Sequence, residues 1–273
     1  MLVFAHIEKT AGKTMRSLLR RRYGSTQCDL YNSPHALRDG DLAYIKRFYP
    51  VLRCVAGHAC MPGTFIGDLP HARHFTFLRD PVQRAASAYQ YGHHRGRAMP
   101  PFEAWAAATA NFQTRALTRQ PLGTAHADDA IRLLDEHFGF VGLVERFDES
   151  LILFKHWLGD PGFRLTYRGV NVAPDNQMKK QILADESKRQ LLIDLNPHDL
   201  ALYAHVRDRL YPQQQAAFGP PLPDALSEFK QALQTTRPLA VSLPLWTNRL
   251  KRNLVFRPLW KRRLRGRPTA APQ

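Results

Sequence analysis

The chain has few cysteines. Cys28, Cys54 and Cys60 are the three among 273 residues, too few and too oddly spaced for a disulfide framework or a zinc knuckle. It also lacks any run of about 18 apolar residues, so nothing reads as a membrane-spanning helix. No internal repeat is present, and no His, Cys, Asp or Glu spacing suits a metal, so no metal is expected. Acid is scarce: 23 Asp and Glu stand against 39 Lys and Arg, a net charge of +16. Residues 238–273 hold nine basic side chains and no acid at all. Such a balance suits an anionic cofactor, an anionic acceptor or nucleic acid, and does not by itself choose among them.

What is present is informative from the first residue. Leu2 to Ile7 is a short apolar run, the pattern of a buried strand. From Thr14 onward Met15, Leu18 and Leu19 recur at helical spacing, with Arg16 and Arg20 on the other side. Between them Glu8 to Lys13 forms a small turn with Gly12, Lys9 and Lys13. A strand feeding such a turn into a helix gathers free backbone N–H groups, the helix dipole and a lysine at one spot, which holds a phosphate or sulfate. Gly12-Lys13-Thr14 ends as the nucleotide-triphosphate P-loop ends. That motif, however, needs a glycine where Ile7 stands.

Farther on, Val51 to His58 reads as a second strand and His74 to Arg79 as a third. Asp80-Pro81 opens a helix to about His93, with proline at the position where its missing N–H costs nothing. Phe140 to Val144 is a fourth strand, followed by a helix from about Asp148 to Leu158. Arg20 to His35 reads as polar and turn-rich, and Asn171 to Asn176 as a loop. Short apolar strands alternating with helices predict an α/β fold, a central parallel sheet with helices on both faces. Ligands of such sheets lie beyond the strands' carboxyl ends, near a topological switch point. Lys9 to Thr14, Gly57-His58 and Arg79-Asp80 then share one rim. At that rim Arg79 can grip a second phosphate with its guanidinium fork. Ser87, about two helical turns on, can add a hydroxyl.

His6-Ile-Glu-Lys-Thr-Ala-Gly-Lys-Thr14 resembles the 5′-phosphosulfate loop of sulfotransferases, with Glu8 and Lys13 departing from the family's proline and threonine. Phe77-Leu-Arg-Asp-Pro-Val-Gln-Arg-Ala-Ala-Ser-Ala-Tyr89 is similar to the family's 3′-phosphate segment. Weaker likenesses run through Asn111 to Leu117, Val141 to Ser150 and Asn196 to Tyr203. The carbohydrate branch with the heparan sulfate 2-O- and chondroitin-type enzymes fits best. The resemblance implies a P-loop-like sulfotransferase fold over residues 1–215. It implies 3′-phosphoadenosine 5′-phosphosulfate as donor, with Lys9, Thr10, Ala11, Gly12, Lys13 and Thr14 at its 5′ end. Arg79 and Ser87 would hold the 3′-phosphate, and a carbohydrate or glycoconjugate hydroxyl would accept.

The acceptor hydroxyl needs a base. His58 is the candidate, because a neutral imidazole works near pH 7 and the Gly57-His58 pair ends a strand at the rim. It also resembles the catalytic histidine of the heparan sulfate 2-O enzymes. Glu8 is the reserve. His93 and His94 are expected at a basic lip for an anionic acceptor or in a solvated loop, and Lys179 and Lys180 at an exposed helix start or closing over the nucleotide. Glu145 and Asp148 are expected to cap, or to pair with Arg146. Residues 216–273 read as a Pro-rich, basic tail in which Leu245, Trp246, Leu250, Leu254, Phe256, Leu259 and Trp260 interleave with arginines. That mixture suits peripheral contact with an anionic membrane, or a solvated tail. With the active loop opening the chain, a cytoplasmic enzyme is expected, touching the inner membrane at most peripherally. The alternatives are a P-loop kinase, for which Asp80 is the one acid available at the third strand's end, and nucleic-acid binding through the tail. Nucleic acid is the less expected partner.

Overall fold

A computed structural model of the protein describes residues 1–30, 40–62, 71–167, 176–235 and 249–267. Five strands, β1 (Leu2–Ala5), β2 (Gln27–Asp29), β3 (Cys54–Gly57), β4 (Arg73–Leu78) and β5 (Phe138–Leu143), form one sheet. Their order is β2-β3-β1-β4-β5 and every pairing is parallel. The fold is therefore α/β, with helices covering both faces. The chain leaves β1 toward β2 but leaves β4 toward β5, so the connections diverge between β1 and β4. That divergence is the topological switch point.

β2 falls inside the stretch read as turns. Gln27 and Asp29 are buried, so the strand carries no apolar alternation to reveal it. Its charge is met by α1 (Gly12–Tyr23): Arg16 lies 2.6 Å from Asp29 Oδ2, and Arg20 reaches the same oxygen. Arg16 is thus buried rather than on a solvent face. Two opposed carboxylate–guanidinium contacts replace the hydrophobic signal that an interior strand usually shows.

The pleat divides the core. Phe4, Phe75 and Phe77 join Met15, Leu18 and Leu19 of α1, and also Leu151 and Phe154 of α7 (Phe147–Leu158). The rings of Phe4 and Phe75 stack with centroids 4.8 Å apart. On the other face Val3, Cys28 and Val55 meet Ile45 of α2 (Asp41–Phe48). The remaining cover there comes from Phe256, Trp260 and Leu264, on the helical segments Lys251–Phe256 and Arg257–Leu264. A parallel sheet must be roofed on both sides, and here the C-terminal segment is part of the second roof. Phe256 and Trp260 are core residues, a correction to their expected place on an exposed amphipathic surface. Leu245 and Trp246 lie outside the described residues. The helix Tyr211–Phe218 runs across the boundary drawn at 215.

Four helices form a third layer beside the switch point: α3 (Pro81–His94), α4 (Phe102–Ala108), α8 (Gln177–Ala184) and α9 (Glu186–Leu195). Between them in sequence come α5 (Phe112–Thr118) and α6 (Ala127–His137); α10 (Pro197–His205) follows α9. The Asn111 and Asn196 stretches cap one another. Asp199 Oδ2 and Oδ1 accept the N–H groups of Gln113 (2.9 Å) and Thr114 (2.7 Å), while Asn111 Oδ1 accepts those of His198 (3.0 Å) and Asp199 (3.1 Å). Two helix N-termini satisfy each other's orphan amides.

Candidate anion-binding active site

The turn after β1 has an unusual backbone. Lys9 (φ 68°) and Ala11 (φ 59°) are left-handed, with Thr10 between them not so. This alternation curls successive N–H groups into a concave anion nest. For residues bearing a Cβ the conformation costs roughly 1–2 kcal/mol each, the kind of strain that is retained where a site requires it. Thr10 is buried, and its hydroxyl donates to the Ile7 carbonyl at 2.9 Å; it braces the turn from inside. Gly12 opens α1 with the His6 ring against it. A Cβ there would stand 1.6 Å from His6 Nε2, so only glycine lets helix and ring approach. Thr14, two residues on, is buried, while Lys13 is exposed. Among the described residues no side chain caps α1, so its first amides and dipole face the turn.

Arg79 follows β4, directly beside that turn, and its Nη1 donates to the Lys9 carbonyl at 3.2 Å. Asp80 caps α3, with Oδ1 accepting the Gln83 N–H at 2.8 Å. The carboxylate near Arg79 is Glu145, with Oε1 3.9 Å from Nε. Glu145 is itself held by the Asp80 N–H (3.1 Å) and the Tyr203 hydroxyl (3.0 Å). Glu145 therefore does not pair with Arg146, which lies 3.8 Å from Glu149. Asp148 accepts from the Tyr167 hydroxyl at 2.6 Å.

Arg84 is buried under the same turn, its guanidinium 4.5 Å from the centroid of the Phe112 ring. Its Nε and Nη2 have no hydrogen-bond partner among the described residues. Burial, opposed mainly by Asp199, lowers its pKa to about 10. Lys9 is pushed down to about 8, first by burial and then by the charges of Lys13 and Arg79. Burial also lowers Arg79 and, on α8, Lys179, with Arg79 next among the causes for the latter. Gln90 pins the start of α8 by accepting the Lys179 N–H at 2.9 Å. Lys179 was expected at an exposed helix start; it sits within electrostatic reach of Arg79. Lys9, Arg79, Arg84 and Lys179 thus lie within electrostatic reach of one another, with Glu8, Asp80, Glu145 and Asp199 opposing them.

Arg84, Ser87 and Tyr91 share one face of α3. Ser87 is half-buried. Tyr91, unremarked in the sequence, packs under Lys9, whose Nζ is 4.1 Å from the ring centroid; Lys13 Nζ is at 5.5 Å. The one available signal was its position four residues beyond Ser87. His93 and His94 end α3 and are exposed, as is Glu8.

His58 follows β3, on the opposite side of β1 from Arg79. Its Nδ1–H donates to the His6 carbonyl at 2.8 Å, and the two rings lie 4.7 Å apart. That bond fixes the neutral tautomer with Nε2 unprotonated. Burial lowers the His58 pKa, with Glu8 pulling the other way. Among the described residues no group of three or more His, Cys, Asp or Glu side chains is arranged to hold a metal. Nor is any helix there long and apolar enough to cross a membrane.

No family model matches the sequence, and no curated protein matches it. Among solved structures, the crystal structure of a sulfotransferase from Alicyclobacillus acidocaldarius is similar at 20% identity and a TM-score of 0.39. The likeness covers 71% of this chain and 94% of that one. At that identity and score no residue role passes from it to this chain.

Proposed function

We propose that this protein is a sulfotransferase that moves a sulfuryl group from 3′-phosphoadenosine 5′-phosphosulfate to a hydroxyl of a carbohydrate or glycoconjugate. The observation that carries this reading is the cationic cluster at the switch point. After burial, the charges of Lys13, Arg79 and Arg84 lower the pKa of Lys9, and that of Arg79 lowers Arg84; the backbone nest and the uncapped start of α1 belong to the same turn. Bringing like charges out of water together is unfavourable unless an anion joins them. A nucleotide phosphorylated at both ends supplies two, one for the nest and one for Arg79 with Ser87.

In this reading the acceptor oxygen attacks sulfur in line with the bond to the 5′-phosphate. The new O–S bond forms as the old S–O bond breaks, and the leaving group is adenosine 3′,5′-bisphosphate. The hydroxyl proton goes to Nε2 of His58. Charge developing on the leaving phosphate oxygen is met by Lys9, the Lys9–Thr14 amides and the dipole of α1. A kinase reading would need Asp80 for magnesium, but Asp80 is already engaged as the cap of α3. Titration calorimetry of adenosine 3′,5′-bisphosphate against ATP-magnesium tests the proposal. Micromolar binding of the former, lost in Lys9→Ala and Arg79→Ala, is the expected result; tighter binding of ATP-magnesium overturns it.

A further inference from the structure

Six large hydrophobic residues are exposed among those described, and four of them, Leu250, Leu254, Val255 and Leu259, fall within ten residues of the C-terminal segment. Leu254 is 71% exposed. The segment's other side is fixed. Phe256, Trp260 and Leu264 are buried beneath the sheet. Asp41, fully buried, accepts from Arg263 Nε (2.8 Å) and from Arg267 Nη1 (2.6 Å) and Nη2 (3.0 Å). The Lys251 ammonium donates to the Phe48 carbonyl. The apolar stripe is therefore presented on a helix anchored to the body, about 15 Å long over ten residues.

Charge surrounds the stripe with one sign. Arg249, Lys261, Arg262 and Arg265 are exposed, and none has an ion-pair partner among the described residues. No Asp or Glu follows Glu228 anywhere in the chain. We propose that this face docks on an anionic membrane surface, its leucines entering the headgroup boundary while the arginines and lysine meet lipid phosphates. An interfacial helix has this division of labour, with apolar area inserting a few ångströms and cations adding affinity for acidic lipid. A protein partner of matching charge would need acidic groups interrupted by an apolar groove, whereas a bilayer offers both without a complementary shape. Nucleic acid would leave the leucines against water. The inference stands apart from the sulfuryl-transfer reading, since it uses none of the same side chains.

Vesicle flotation of the full chain tests it, with phosphatidylcholine vesicles either pure or carrying about one third phosphatidylglycerol. The wild type is expected to float with the acidic vesicles, to stay behind with the neutral ones, and to be released as salt rises. Leu254→Ser/Leu259→Ser and Lys261→Gln/Arg262→Gln should each weaken acidic-vesicle binding by roughly tenfold or more. All four side chains are exposed, so melting temperature should be unchanged, and bisphosphate binding should be intact. Absence of wild-type binding overturns the proposal, as does binding that the leucine pair does not affect. A mass doubling in solution abolished by the leucine pair, without vesicle binding, assigns the face to a second copy and also overturns it.

Discussion

Gln113 holds the backbone of Arg79 from both directions: its Oε1 accepts the Arg79 N–H at 2.9 Å and its Nε2 donates to the Arg79 carbonyl at 2.8 Å. The amide thus continues the ladder where β5 no longer pairs, at the residue whose guanidinium faces the nest. Gln113 is fully buried, and its own position is set by Asp199 at the start of α5. Gln113→Leu leaves a buried N–H and C=O without partners, at about 1–3 kcal/mol each. We expect a loss of about 2–4 kcal/mol in urea unfolding and about tenfold weaker bisphosphate binding measured where the protein is still folded. Lost stability with unchanged affinity would leave Gln113 a structural residue only.

Lys9 sets a pH window. Its folded pKa is lowered from the ordinary lysine value of 10.5 to about 8, so between those values the unfolded chain holds more protons than the folded one. Stability of the ligand-free protein therefore rises with pH across that window, and the cost of burying the charge is fully present below it. Anion affinity runs the other way, weakening as pH climbs through about 8 because the ammonium is lost. Calorimetric titrations of the bisphosphate from neutral to alkaline pH check this. In Lys9→Met both trends should flatten; a wild-type affinity independent of pH across the window would refute the assignment.

Much of the rim was legible in the residues and part of the scaffold was not. Phe75 to Asp80 announces a buried strand, a strand-end arginine and a proline-started helix, all local signals. Gly12 is legible as a turn, but the His6 ring that requires it is a tertiary contact. β2 escaped because two of its three buried residues, Gln27 and Asp29, are polar and the arginines that neutralise Asp29 lie on α1. The interleaved arginines and aromatics after residue 248 fit a surface helix, yet the unroofed face of Val3, Cys28 and Val55 draws Phe256 and Trp260 inward. Periodicity shows that a helix has two faces; the uncovered area elsewhere determines which one is buried.

The roofing role makes Trp260 a stability residue. Its indole is buried among Phe256, Tyr44 and the β3 side of the sheet, stacked on Phe256 with centroids 5.8 Å apart. Trp260→Ala is expected to destabilise the fold by about 3–5 kcal/mol, the transfer and cavity cost of a large aromatic. Leu254→Ala, on the same segment but facing water, should stay within about 0.5 kcal/mol of wild type. Equal, small effects in thermal unfolding would show the segment to be a loose appendage.

His58 offers the sharpest separation between binding and chemistry. Its Nδ1–H is committed to the His6 carbonyl at 2.8 Å, and burial lowers its pKa from 6.5, so the ring is neutral at pH 7. As pH falls, the unfolded chain protonates first, and the stability contributed by the neutral ring is lost below about 6.5. If Nε2 receives the acceptor proton, turnover has an acid limb at or below that same value, while bisphosphate binding through Lys9 and Arg79 does not. His58→Gln keeps a donor for the His6 carbonyl but no basic nitrogen. We expect kcat to fall by about 100- to 10,000-fold, the acid limb to vanish, and bisphosphate affinity to stay within about twofold. A variant that loses affinity and turnover together would place His58 in the architecture of the turn, and Glu8 would become the base to test.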